Sequence, residues 1–119
     1  MDLEIYAIAD KNDLQNERVA INVLKECNLK FFLLFKTHFT EKGFYHESDK
    51  SYWFTPRKVS AGDTIIIYTK SGTEKIKKDE KNETTTHFIY WGLKSPIFTD
   101  DSKGVVLAQV SDWMLSNKI

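Results

Sequence analysis

Ser51-Tyr52-Trp53-Phe54-Thr55-Pro56-Arg57-Lys58, then Ala61-Gly62-Asp63, then Thr64-Ile65-Ile66-Ile67-Tyr68-Thr69-Lys70-Ser71-Gly72, is the stretch whose reading decides the fold. It returns after a charged insert as Thr86-His87-Phe88-Ile89-Tyr90-Trp91-Gly92-Leu93. Thr64 to Lys70 is dense in β-branched residues and follows a Gly-Asp turn, which makes it the strongest strand of the chain. Pro56 removes a backbone donor and holds Thr55 extended, so Trp53-Phe54 belongs at a strand end or a sheet edge.

Working outward, Leu3 to Ala9 and Val105 to Val110 are further strands, and Lys30 to Phe39 carries aromatics on both faces. Residues 13 to 27 leave two readings open. Val19, Ala20, Val23, Leu24 and Cys27 fit a helical stripe, whereas Val19, Ile21 and Val23 fit strict alternation, and the β-branched residues favour a strand. Gly72 to Thr86 is charged and almost devoid of apolar residues, so it is expected to be a solvated, mobile insert between two paired strands. Trp113 is expected to plug one end of the core. The resulting fold class is mainly β, or α+β. It is a small closed or partly open barrel of six to seven strands, with or without one short helix, in a single domain over residues 1–119.

Composition narrows the function. Seventeen basic and 17 acidic residues give a formal charge of +0, which argues against general duplex binding but leaves room for a small anionic ligand held by local cations. The single cysteine, Cys27, cannot form an internal disulfide and points to a reducing, cytoplasmic setting. Met1-Asp2-Leu3-Glu4 does not look like a secretory leader, and no apolar run is long enough for a membrane helix.

Catalysis finds little support. His38, His46 and His87 have no metal-ligand spacing, and they read as one wet loop histidine (His46) and two strand-end histidines. Asp63 and Lys70 bracket a strand as in some nucleases, but Tyr68 stands where the second acid is needed. No metal, cofactor or catalytic residue is assigned, which leaves a nuclease or other hydrolase as the weakest reading. Binding is better served. Trp53, Phe54, Tyr68, Tyr90 and Trp91 offer ring faces, Arg57, Lys58 and Lys70 offer cations, and Ser71 adds a hydroxyl. Filling a small core is the competing role for the same aromatics.

Tyr52-Trp53-Phe54, the Ala61-to-Tyr68 turn and strand, and the Val105-to-Val110 strand together resemble the PUA-like small barrels, which include the PUA, ASCH and EVE domains. The chain is also similar to small bacterial proteins of unknown function with a Tyr52-Trp53-Phe54, Gly62-Asp63, Tyr68-to-Thr73 and Tyr90-to-Leu93 series. The PUA-like resemblance implies a non-enzymatic module that binds RNA or a modified nucleobase. It would put Trp53, Phe54, Tyr68 and Tyr90 near a base and Arg57 or Lys70 near its phosphate. A neutral chain and an insert longer than a tight hairpin depart from that pattern. The expected ligand is a small nucleotide or modified base, of which RNA or DNA is the larger form, in a pocket walled by Trp53, Tyr68 and Trp91. Sequestering a small signalling nucleotide would use the same chemistry. The alternative is a protein-interaction module, of inhibitor or immunity type, using an exposed Tyr52-Trp53-Phe54 patch.

Overall fold

Strict apolar alternation with β-branched side chains makes a strand that buries one face, and three such strands build the principal sheet. In the computed structural model, which describes residues 1–118, these are β2 (Arg18–Val23), β8 (Thr64–Tyr68) and β10 (Thr84–Tyr90). Val19, Ile21, Val23, Ile65, Ile67 and Ile89 are all buried, at most 3 % exposed. The open question over residues 13 to 27 thus resolves as a strand over Arg18–Val23, and the alternating set is the buried one.

Five strands form this sheet in the order β1-β2-β8-β10-β9, with β1 at Leu3–Ala9 and β9 at Lys75–Asp79. β8 and β10 run parallel, with Tyr68 beside Tyr90 and Ile66 beside Phe88. Parallel neighbours need a crossover. Here the chain leaves β8, passes the end of β10, descends as β9 and returns as β10 between the two. The charged insert is solvated, as its composition requires, but Lys75–Asp79 is an edge strand paired antiparallel to β10. Its side chains are all exposed, and lysines along an outer strand discourage edge-to-edge pairing with another chain.

The second sheet has β4 (Phe32–Thr40) flanked by β11 (Lys103–Gln109) on one side and by β5 (Gly43–Phe44) and β6 (Ser51–Trp53) on the other. Phe32 and Leu34 of β4 point into the core beside Leu29, Phe54, Ile97 and Phe98. A short ribbon of β3 (Cys27–Asn28) and β7 (Lys58–Val59) links the layers, and Leu29–Phe31 is a single 3-10 turn. The chain is mainly β, and its three sheets do not close on one another as a barrel. Trp113, expected in the core, is 47 % exposed and packs edge-on against Trp53 and Phe31 instead.

Glu17 is wholly buried and still fully bonded. Its carboxylate accepts from the N–H groups of Asn12, Ile97 and Phe98 at 2.9–3.0 Å and from the Thr69 hydroxyl. One side chain therefore ties the entry to β2, the exit of β8 and the 97–98 segment.

Candidate functional site

Register decides which side chains share a face. Opposite the core, the principal sheet presents Ala20 and Arg18 of β2, Ile66 and Tyr68 of β8, Phe88 and Tyr90 of β10, and Lys75 and Lys77 of β9 as cross-strand neighbours. Ile66, Tyr68, Phe88 and Tyr90 are part-exposed here, whereas Ile65, Ile67 and Ile89 between them are buried. Tyr68 and Tyr90 lie nearly parallel, with ring centroids 5.5 Å apart and planes 14° from each other. The Lys70 ammonium sits 5.1 Å from the Tyr68 centroid, and the Lys75 ammonium 5.5 Å from that of Phe88. A shallow depression beside Phe88 is lined by Lys77, Lys78 and Thr86, with Asp79 and Glu80 at its far side as acidic neighbours. Aromatic faces with cations above them form a surface suited to a planar, negatively charged partner.

Gly72 is needed where the crossing segment meets Tyr90. A Cβ at that position would lie 2.4 Å from two ring carbons of Tyr90, closer than atoms can approach. Gly72→Ala is expected to push the Tyr90 ring out of its parallel packing on Tyr68 and to cost about 1–3 kcal/mol, as overpacking does. Urea unfolding, with the Tyr90 ring resonances followed by NMR, checks this.

A second cluster lies on the core side at the edge of the same sheet. Asp63 accepts bonds from the Ser60 and Thr85 N–H groups at 3.0 Å and lies 2.9 Å from His87 Nε2. The other imidazole nitrogen, Nδ1, faces Arg57 at 3.4 Å, and Arg57 pairs with Glu74. With Nε2–H donating to Asp63, Nδ1 accepts from Arg57, so every member of the chain is partnered. Burial pushes the Asp63 carboxyl upward, but the bonds from His87 and from the Ser60 and Thr85 amides outweigh this and hold it below the usual carboxylate range. His87 is thus a buried residue inside β10, at 6 % exposure, and not a strand-end histidine. Burial, helped by the charge of Asp2, pushes the Cys27 thiol up, away from nucleophilic use.

The residues singled out from sequence separate into three places. Tyr68, Lys70 and Tyr90 share the outer sheet face, and Ser71 is exposed on the crossing segment beside them. Trp91 and Phe54 belong to the core side, where Trp91 and Phe54 each contact the Tyr52 ring at 5.9 and 5.1 Å. Trp53 points the other way, donates its indole N–H to the Lys30 carbonyl at 2.7 Å and packs on Trp113. Arg57 is held between His87 and Glu74, and Lys58 is exposed on β7.

Trp53, Tyr68 and Trp91 therefore do not face one another around a single pocket. The reason is alternation: adjacent residues of a strand point to opposite faces, and Tyr52 takes the inner one. The expected Tyr52-Trp53-Phe54 surface patch is corrected likewise, since Trp53 is 42 % exposed but Phe54 only 3 %.

Sequence reasoning passed over Phe88, Lys75 and Lys77. Phe88 was within reach, because it stands two residues before Tyr90 in the same strand and so shares its face. The lysines required knowledge of β9. Asp63 with His87 required the parallel register.

Among the described residues, no three His, Cys, Asp or Glu side chains gather as a metal-ligand set. No helix of the described chain is long and apolar enough to cross a membrane. Compared with protein-family models, curated proteins and solved structures, the chain gives no match.

Proposed function

We propose that the protein binds nucleotides or short single-stranded nucleic acid on the outer face of its five-stranded sheet. A base would stack on Phe88 or Tyr68, and Lys70, Lys75 and Lys77 would meet its phosphates. The observation that carries this reading is the set of three rings on two central strands, with a lysine ammonium over two of them. An ammonium parked on a ring face moves aside at small cost when a base takes its place, and the same charge is then at hand for the phosphate. Local cations supply what the neutral chain as a whole lacks. We read the two sheets around one core as a partly open barrel of the PUA-like kind. The Lys11 ammonium, 3.0 Å from the Lys103 carbonyl, bridges the first sheet to β11 in support of this.

Fluorescence anisotropy with labelled oligouridine and oligodeoxythymidine tests the reading, with mononucleotides and modified nucleosides as competitors. Phe88→Ala with Tyr68→Ala is expected to weaken binding at least tenfold, since each stacked base contributes about 1–3 kcal/mol. Removing Lys70 or Lys75 should lower the salt slope by about 0.7 each. Absence of saturable binding at low salt, or unchanged affinity in the double aromatic variant, rejects the proposal.

One observation favours a second reading, a protein partner. Trp53 and Trp113 pack at 5.0 Å on the surface, next to Met114 and Leu115, which are 90 % and 88 % exposed. Exposed aromatic anchors beside flexible apolar side chains are the material of interface hot spots.

A further inference from the structure

A cavity of about 270 Å³ lies on the second sheet, away from the aromatic face just described. Its floor is Phe35 and Val106, cross-strand partners on β4 and β11, with Thr37. Its wall is Phe44 of β5 and the segment that follows, Tyr45 and His46. The wall is anchored rather than loose. Tyr45 N–H donates to the His38 carbonyl at 3.0 Å, and the Thr37 hydroxyl donates to the Tyr45 carbonyl at 2.8 Å. The Tyr45 ring lies on His38 at 5.2 Å, and Phe44 meets His46 edge-on at 4.9 Å.

The lining has a definite chemical bias. The rings of Phe35 and Phe44 and the His46 imidazole lie on this face of β4, while the Tyr45 ring stacks on His38 on the other, and no lysine or arginine contributes. Glu47 lies at the rim and makes no ion pair among the described residues, while the nearby Asp49 is paired with Lys36 at 3.3 Å. The hydroxyl hydrogens of Thr37 and Ser48 are committed to backbone carbonyls, so the oxygens left to a guest are acceptors. An anion would meet Glu47 unfavourably, and a neutral apolar guest would use the rings but not the carboxylate. A cation with an apolar coat uses both. The size agrees: an engineered apolar cavity of ~150 Å³ admits benzene, so this one has room for a trimethylammonium head and a short chain.

We propose that this cavity is a binding site for a trimethylammonium cation, its head against Phe35 and Phe44 and its charge facing Glu47. A free quaternary amine and a trimethylated lysine share this head, and affinity for choline against that for the blocked amino acid acetyl-trimethyllysine-amide separates the two sources. NMR titration of the whole chain with choline and with 3,3-dimethylbutan-1-ol, its neutral isostere, is the test. Choline is expected to shift Phe35 and Phe44 resonances saturably and to bind about tenfold tighter than the isostere, the scale of a desolvated cation–π contact. Glu47→Gln, in an exposed turn, should reduce that preference severalfold, and Phe44→Ala should abolish the shifts with the far-UV circular dichroism unchanged. If Phe44→Ala loses its fold, Glu47→Gln carries the test alone. Isostere binding as tight as choline, a preference untouched by Glu47→Gln, or no saturable shift overturns the proposal.

Discussion

Glu17→Ala is expected to lower the unfolding free energy by about 3–5 kcal/mol, the largest effect of any single side-chain truncation considered for this chain. Three backbone N–H groups and the Thr69 hydroxyl lose their acceptor at once, those of Ile97, Phe98 and Thr69 in a place no solvent reaches. Each buried donor left unpaired costs about 1–3 kcal/mol, and release of the carboxylate's own burial cost offsets part of the sum. The melting temperature should fall by on the order of 15 °C in a domain of this length. Glu17→Gln keeps one acceptor oxygen but turns an amide NH₂ toward two donors, so it should lose less than alanine does and still more than a surface substitution. Urea unfolding of the three proteins, monitored by circular dichroism, gives the order wild type, then Gln, then Ala. Equal midpoints for wild type and Glu17→Ala would show that the 97–98 segment and β8 are not held together through this residue.

Asp63→Ala carries the second large effect, about 2–4 kcal/mol at neutral pH, because Ser60, Thr85 and His87 each lose an acceptor. Its pH dependence has a definite sign. The folded Asp63 carboxyl lies below its unfolded value of ~3.9, so its contribution is complete above that value and is lost as pH falls through the folded one. The gap in stability between wild type and Asp63→Ala should therefore hold steady above about pH 5 and close as the pH drops below about 4. Asp49, Asp79 and Asp100 are also held low by local hydrogen bonds. They are solvent-exposed, common to both proteins, and cancel in the comparison. Urea midpoints measured from pH 3 to 7 test this, and a gap that stayed constant to the acid end would contradict the assigned network.

The two networks also bear on the proposed binding face. Thr69, bonded to Glu17, and Glu74, paired with Arg57, stand at the two ends of the segment that crosses beside Tyr90. Lys70 and Gly72 lie between these anchors, so the ring faces and the cation over Tyr68 are positioned from beneath the sheet. A variant that releases either anchor should disturb the face without touching it.

Local pattern determined a good deal about this chain. Val19, Ile21 and Val23, and then Ile65 and Ile67, alternate strictly, and burial of one face follows from the two-residue period of a strand whatever it pairs with. Pro56 likewise ends β6 at Trp53, because a missing N–H cannot continue a ladder. Tyr68 with Lys70, and Phe88 with Tyr90, share a face for the same reason of period, although the pocket expected from sequence joined Trp53, Tyr68 and Trp91 instead.

Pairing decided the rest. Whether β8 meets β10 parallel or antiparallel depends on where the chain crosses, and the composition of Gly72 to Thr86 contains no record of it. That choice put β9 at the outer edge, brought Lys75 over Phe88, and set His87 against Asp63. Side-chain direction is a local property of a strand and survives in the sequence. Strand neighbours are a global choice among many near-equal pairings, and only the folded chain makes it.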